Sequence, residues 1–439
     1  GFTNAWILLA FTFAMGIGTA LMMPAWASLT PEIVPRAQLQ AAVSLNAMGM
    51  NVARAIGPAV AGLIVAASGP GALFLLNAVS FLGVMGVILW WRRQANPSTL
   101  PAERFFSALR AGVRYARNAP DLQAVLVRGG AFFLFASAPL ALLPLIARHE
   151  LSGGPNTYGI LLASIGFGAV SGALLLPRLR AQLPRDLLMA AGTVVYALAA
   201  LALAFIRDLP VLILAMLANG AAWITVMSSL QVAAQTALPT WVRARGSAVL
   251  MVVFMGGMAI GSALGGQVAT LYGIPTALIA TATGSVLGLA LTWRFRIGCH
   301  DDFDLTPSMH WPTPVVAKEP HLDRGPVMVM IEYRIAAANR TDFVQAMQAI
   351  RRIRRRNGAV WWGLFNDAAD PERYTEHFVD ESWVEHLRHH ERVSAADRAC
   401  EERARAFHLG AEPPRVFHLL AESAPKPADG EGNARYRRC

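Results

Sequence analysis

Arg54 places a guanidinium about halfway along an apolar run that extends from 41 to 67. At mid-bilayer a cation costs at least ~2.5–3.5 kcal/mol on insertion scales, so it must face a partner or a wet cavity. Asn51, Arg54, Pro58 and Gly62 follow at i, i+3, i+7 and i+11 and share one helical face. Two roles fit. Arg54 binds an anionic substrate or a coupling carboxylate, or it pairs with backbone carbonyls or a carboxylate and fixes the helix. Asn46, Asn77, Asn219, Gln231 and Gln235 bring further hydrogen-bonding groups into apolar runs, the last two at i and i+4 on one face. Such groups line a cavity or tie helices together, and the second use is the commoner. Met251, Met255 and Met258 also share a face, which suits adaptable ligand contacts but suits lipid or core packing better.

A second group lies outside the apolar runs. His386 and His390 have the i, i+4 spacing of a metal-binding pair. No third ligand has a position fixed by the sequence, and a solvated helix face explains the two, so no metal is expected. Trp361 and Trp362 could stack on an aromatic ligand, although one of them must point into a core, and Trp383 with His386 and His390 completes a candidate ligand site. Cys299, Cys400 and Cys439 show neither disulfide nor zinc spacing. There is no Walker loop, which argues against an ATP-driven pump, and no cofactor is implied.

These residues must be positioned by two very different regions. The chain is 55% hydrophobic and 15% charged, against roughly 25% charged in a soluble protein. The deficit falls in residues 1–296. Spans of about 20 apolar residues lie near 5–27, 41–67, 72–91, 126–147, 157–177, 187–206, 211–235, 246–270 and 275–296. Net charge is +10 and the only lysines are Lys318 and Lys426. Nucleic-acid binding is one reading of such basicity; the placement of the arginines favours another. Arg36, Arg92, Arg93, Arg104, Arg110, Arg114, Arg117, Arg178, Arg180, Arg185, Arg243, Arg245, Arg294 and Arg296 flank the spans on one side, against Arg148 and Arg207 on the other. By the positive-inside bias the arginine-rich side, and with it the C-terminal region, is cytoplasmic.

An internal repeat orders the spans. Ile56-Gly57-Pro58-Ala59 with Gly62 and Gly69 recurs, 204 residues on, as Ile260-Gly261-Ser262-Ala263 with Gly266 and Gly273. Same-orientation repeats of six helices build major-facilitator carriers. The second copy sits on the fifth span of a six-span half and the first on the second span, so three helices are expected ahead of Gly1. Pro24-Ala25-Trp26, Leu29-Thr30-Pro31-Glu32-Ile33-Val34-Pro35, Asn51 to Pro58 and Phe74-Leu75-Leu76-Asn77 together resemble bacterial major-facilitator exporters. The likeness is closest to the enterobactin-exporter-like branch, also called transmembrane secretion effectors, and it covers about 1–300. It implies export of a small organic molecule (siderophore, drug or secondary metabolite) by alternating access, with a proton as coupling ion. The segment Gly57-Pro58 to Gly62, and its second copy at Gly261 and Gly266, looks like an antiporter signature. The plainer role is close helix packing, with Pro58 bending the helix. None of the nine spans carries a central Asp or Glu that could take the proton.

After a proline-rich linker, 297–325, the pattern reads β-α-β-β-α-β. Val327 to Ile335 alternate as a half-buried strand. A helix covers 339–356, strands 359–366 and 372–380, a helical stretch 382–408 and a last strand 414–421. With Glu381-Ser382-Trp383 and His386, His389 and His390 this resembles antibiotic-biosynthesis-monooxygenase-like domains, which implies a homodimer through the sheets. Haem chemistry is disfavoured, because the first strand lacks the asparagine that haem degraders of this type use. The basic run Arg351, Arg352, Arg354, Arg355 and Arg356 suits a helix C-terminus or anionic headgroups.

The expected architecture is therefore an all-α polytopic membrane domain of major-facilitator type, with nine of twelve helices present, plus a small α+β ferredoxin-like domain. Its divisions are 1–91, the last three helices of the first half; 92–125, the cytoplasmic loop between halves; 126–296, the second six-helix half; 297–325, the linker; 326–423, the ferredoxin-like domain; and 424–439, a tail. The expected partners are the lipid bilayer of a bacterial inner membrane and a small-molecule substrate, not nucleic acid. The alternatives are a membrane-tethered monooxygenase-like enzyme and a ligand-sensing dimerisation module.

Overall fold

The computed structural model describes residues 10–18, 71–90, 105–151, 155–297, 304–410 and 412–422, with a few isolated positions before residue 71. The chain forms two units, Gly1–Asp302 and Phe303–Cys439. Among the described residues seven helices are long and apolar enough to cross a membrane. The expected spans at 5–27 and 41–67 lie mostly outside those residues.

In the first unit, α1 (Gly71–Trp90) is followed by α2 (Phe105–Asn118), α3 (Pro120–Leu145), α4 (Pro155–Gln182), α5 (Arg185–Phe205), α6 (Leu209–Thr236), α7 (Arg243–Tyr272) and α8 (Ile274–Leu291). The helix starts are legible locally. Proline occupies the first turn of α3, α6 and α8, where its missing N–H costs nothing, and the Asp208 carboxylate caps α6 by accepting from Val211 N at 3.1 Å. Gly273, at φ +88°, joins α7 to α8 in a single residue, a conformation that a side chain would strain. Between the helices, two seams of small residues let backbones touch. Gly257, Gly261 and Gly265 of α7 lie on α3, and Gly168, Gly172 and Gly220 join α4 to α6. Phe132, Phe133, Tyr196, Trp223 and Phe254 fill the space between α3, α5, α6 and α7, with Phe133 and Phe254 rings 4.5 Å apart. Leu174, Val252 and Leu291 stay over 70% exposed, as lipid-facing side chains should.

The second unit holds β1 (Val327–Arg334), α9 (Arg340–Asn357), β2 (Trp361–Asn366), β3 (Arg373–Asp380), α10 (Trp383–Arg392), α11 (Ala395–Arg405) and β4 (Arg415–Leu420). The antiparallel sheet has the order β2-β3-β1-β4. Val329, Ile331, Tyr333, Tyr374 and Phe378 point to one side and bury against Phe343, Met347 and Ile350 of α9. The single helical stretch expected over 382–408 is two helices. Ser394 starts the second with a capping box to Asp397, so the chain turns there. The proline-rich stretch is more than a spacer from residue 304 on. Ser308 N donates to the Val393 carbonyl at 2.9 Å and Trp311 packs on the core.

Candidate functional site

Of the expected translocation residues, Asn46, Asn51 and Arg54 lie outside the described residues, as do Gly57, Pro58 and Gly62. Asn77 is exposed on α1, and Gln231 and Gln235 are exposed one turn apart on α6, so the described helices leave all three amides uncovered. Gly261 sits deep in the α3–α7 seam, where a Cβ would run into the Leu134 carbonyl and the Ser137 hydroxyl. Gly266 has open space beside it.

A buried ion pair that the sequence reading passed over ties one end of this bundle. Arg128, on the third turn of α3, is 2% exposed and donates to Asp186 in the first turn of α5. The same carboxylate oxygen accepts from Ile297 N at 2.9 Å, and the Trp293 ring lies 5.9 Å from the guanidinium carbon. Three chain segments thus converge on one carboxylate. Arg128 Nε and Nη2 are buried with no hydrogen-bond partner among the described residues. They border a narrow cleft lined by Phe132, Met189, Thr193, Ser285 and Thr292. At the opposite end Arg207 bridges to Glu150 at 2.5 Å.

In the second unit the sheet face under the helices carries an unusual density of buried charge. Arg354 is not part of a solvated basic run. It is 2% exposed and paired with Glu376 and Glu401. Glu376 also accepts from Trp362 Nε1 at 3.0 Å and Tyr333 Oη at 3.1 Å. Glu401 takes Trp311 Nε1 at 2.9 Å and faces His310 Nε2 at the same distance. Burial pushes the Glu401 carboxyl up, but Arg354 and the bonds from His310 and Trp311 hold it well below the usual range.

Beside this network the histidines gather. Asp380, fully buried at the end of β3, receives His386 Nδ1 at 2.9 Å on one oxygen and His389 Nδ1 at 3.1 Å on the other. Burial alone would raise its carboxyl, and His389 and His386 bring it far down instead. His386 Nε2 lies 3.2 Å from His390 Nε2. Burial, with His386 and His389 close by, pushes His390 down to about 3; burial, with His386, pushes His418 of β4 down to about 4. Trp383 is buried against His386, ring centroids 5.5 Å apart. Trp361 is not in this group. It lies on the other face of the sheet, 41% exposed and stacked on Phe365 at 6.0 Å, so the four expected ligand residues are not brought together. The residue the sequence missed is His418, whose only signal was a histidine on a strand beside a helix 28 residues upstream in the chain.

Residues 1–426 match the family described as transmembrane secretion effector, of the major-facilitator class. The chain belongs to this family. The match runs through the second unit, so both units fall within one family pattern. The chain is 26% identical to macrolide efflux protein A of Enterococcus faecalis over 39% of its own length and 54% of that protein's. It is 27% identical to the enterobactin exporter EntS of Salmonella typhimurium over 63% of its length and 64% of that protein's. The chain therefore spans about half to two-thirds of the length of these relatives. A bacterial homologue of the human lysosomal transporter Spinster aligns over 61% of this chain and 72% of its own, at 16% identity and a TM-score of 0.41. The chain is thus a multi-pass membrane protein of a family of transporters.

Proposed function

We propose that this protein is a secondary active transporter that exports a small organic molecule, a siderophore, drug or secondary metabolite, across the bacterial inner membrane. The observation that carries the reading is the family match over 1–426, joined by relatives named for macrolide efflux and enterobactin export. Alternating access between two six-helix halves, twelve helices in all, is the mechanism that the 204-residue repeat supports. Arg54, with Asn46, Asn51 and Asn77 of the same half and Gln231 and Gln235 of the other, lines the path. A proton is the coupling ion, and the arginine-rich side with the second unit is cytoplasmic.

For the second unit we favour an assembly or ligand-sensing role over catalysis. Its sheet order supports a ferredoxin-like, monooxygenase-like domain, and its outer sheet face supports pairing with a second copy. Trp361, Val379, Met328 and Leu419 follow one another across the four strands, and Phe365, Met330 and Phe417 extend the same face. Of these, Trp361, Phe365, Phe417 and Leu419 are 39–51% exposed.

The export reading is tested in an efflux-deficient strain carrying the complete gene. The readouts are intracellular accumulation of a labelled macrolide and of a catecholate siderophore. Expression should lower accumulation of at least one of them, a protonophore should abolish the effect, and Arg54→Ala should remove it without loss of protein from the membrane. Unchanged accumulation of both compounds and of a wider drug panel would refute export.

A further inference from the structure

We propose that His386, His390 and His418 form a three-nitrogen site for a borderline divalent transition metal, zinc foremost, with an open fourth position and Asp380 as the outer carboxylate that orients His386. The inference does not depend on the exporter reading. The ligating ring nitrogens of the three residues all lie within 4.8 Å of one another. Tetrahedral zinc with Zn–N bonds of 2.0–2.1 Å needs its ligand nitrogens roughly 3.3 Å apart. His386 Nε2 and His390 Nε2 already stand at 3.2 Å. The remaining adjustment is a ring rotation of the half-buried His418, whose ring centroid is 5.0 Å from that of His386.

The elements explain the convergence. His386 and His390 are one turn apart on α10, so both rings leave the same helical face. His418 is held opposite Val329 in the β1–β4 ladder, on the sheet face that α10 covers. Asp380 supplies an independent reason to expect a metal. Its carboxylate can only accept, so neutral His386 must carry its proton on Nδ1 and present the Nε2 lone pair to the other two rings. That is the carboxylate–histidine–metal arrangement of outer-sphere support. Trp383 and Trp311 wall the site, the latter 4.8 Å from His390 ring to ring, and such a wall limits solvent access to a metal. The three converging groups include no carboxylate or carbonyl oxygen, which disfavours magnesium and calcium and suits zinc, nickel, copper or iron. Three histidines with one open position is the ligand count of sites that bind water or an exogenous ligand.

The test uses the full chain without a histidine tag, purified in detergent and stripped with a chelator. Zinc is titrated by calorimetry and cobalt by its visible spectrum. The expected result is one zinc per chain, with a tetrahedral cobalt spectrum free of sulfur charge-transfer bands. His390→Ala and His418→Ala should each weaken binding by about 100-fold or more, and Asp380→Asn by about 10–100-fold. His321→Ala, at an exposed site elsewhere, should change nothing. Because the buried positions could harm folding, zinc-dependent thermal stabilisation is read as well. It should be present in the wild type and absent in His418→Ala, whose metal-free melting temperature stays near the parent's. No stoichiometric binding at micromolar zinc would overturn the site, as would thiolate bands in the cobalt spectrum or affinity unaffected by His418→Ala.

Discussion

Replacing Arg354 by methionine keeps an unbranched apolar stem and removes the cation that bridges Glu376 and Glu401. All three groups are at least 95% buried by side-chain exposure. Breaking a buried pair from one side costs about 3–5 kcal/mol, because the desolvated charge that remains has no compensation. Here one substitution strands two carboxylates, so the upper half of that range is expected. At 1.36 kcal/mol per tenfold, the protection of the paired β1 and β3 amides should fall by about three to nearly four decades in hydrogen exchange of the full chain. Adding Glu376→Gln and Glu401→Gln to Arg354→Met should restore most of the protection, since tryptophan and tyrosine donors still find acceptors there. The pH dependence has a definite sign. In the wild type Glu401 is held well below its ordinary 4.5, so its contribution, present above that value, is lost only in strong acid. In Arg354→Met the largest opposing influence is gone while burial still pushes Glu401 up, so that carboxyl takes up its proton at a higher pH than in the wild type. The deficit should be widest near about pH 8 and shrink towards about pH 5. A loss below about 1 kcal/mol, or a deficit that grows in acid, would refute the buried-triad account.

His390 and His418 are held below 6.5 in the fold, so the unfolded chain binds protons that the folded domain refuses. Metal-free protein should lose stability as pH falls from about 6.5 towards about 4, and His390→Gln with His418→Gln should flatten that slope in melting curves. Gly261→Leu should cost more than the ~1–3 kcal/mol of ordinary overpacking, since the obstacle at Leu134 is backbone. Gly266→Leu should stay within about 0.5 kcal/mol, both read as detergent melting temperatures. If the outer sheet face pairs two copies, Phe365→Arg and Leu419→Arg should convert a dimer to a monomer by mass photometry in nanodiscs. A wild type that is already monomeric, or a dimer unmoved by both changes, would remove that interface.

Long apolar runs, turn prolines and strand alternation are local signals, and the described spans and strands lie close to where those signals put them, whereas α2, inside the stretch expected as a loop over 92–125, was not anticipated. Buried charge was read poorly, for a physical reason. Arg54 stood out because apolar residues surround it on both sides in sequence. Arg128 did not, because it lies near a span end, where snorkelling to the interface is the usual answer. Its burial depends on Asp186 and Ile297, 58 and 169 residues away. Arg354 was hidden the other way, inside a run of arginines whose exposed members Arg351 and Arg352 share its helix. Only the 3.6-residue period, counted from Phe343, Met347 and Ile350, sets Arg354 on the inner face. A search for that charge on the apolar stripe would have found it, and then required acids on facing strands. The histidine group marks the firmer limit. The helical pair follows from spacing alone, whereas His418 joins it because β4 lies beside β1, a pairing that no local pattern specifies. A three-ligand site assembled across a sheet edge becomes visible only once the strand order is known.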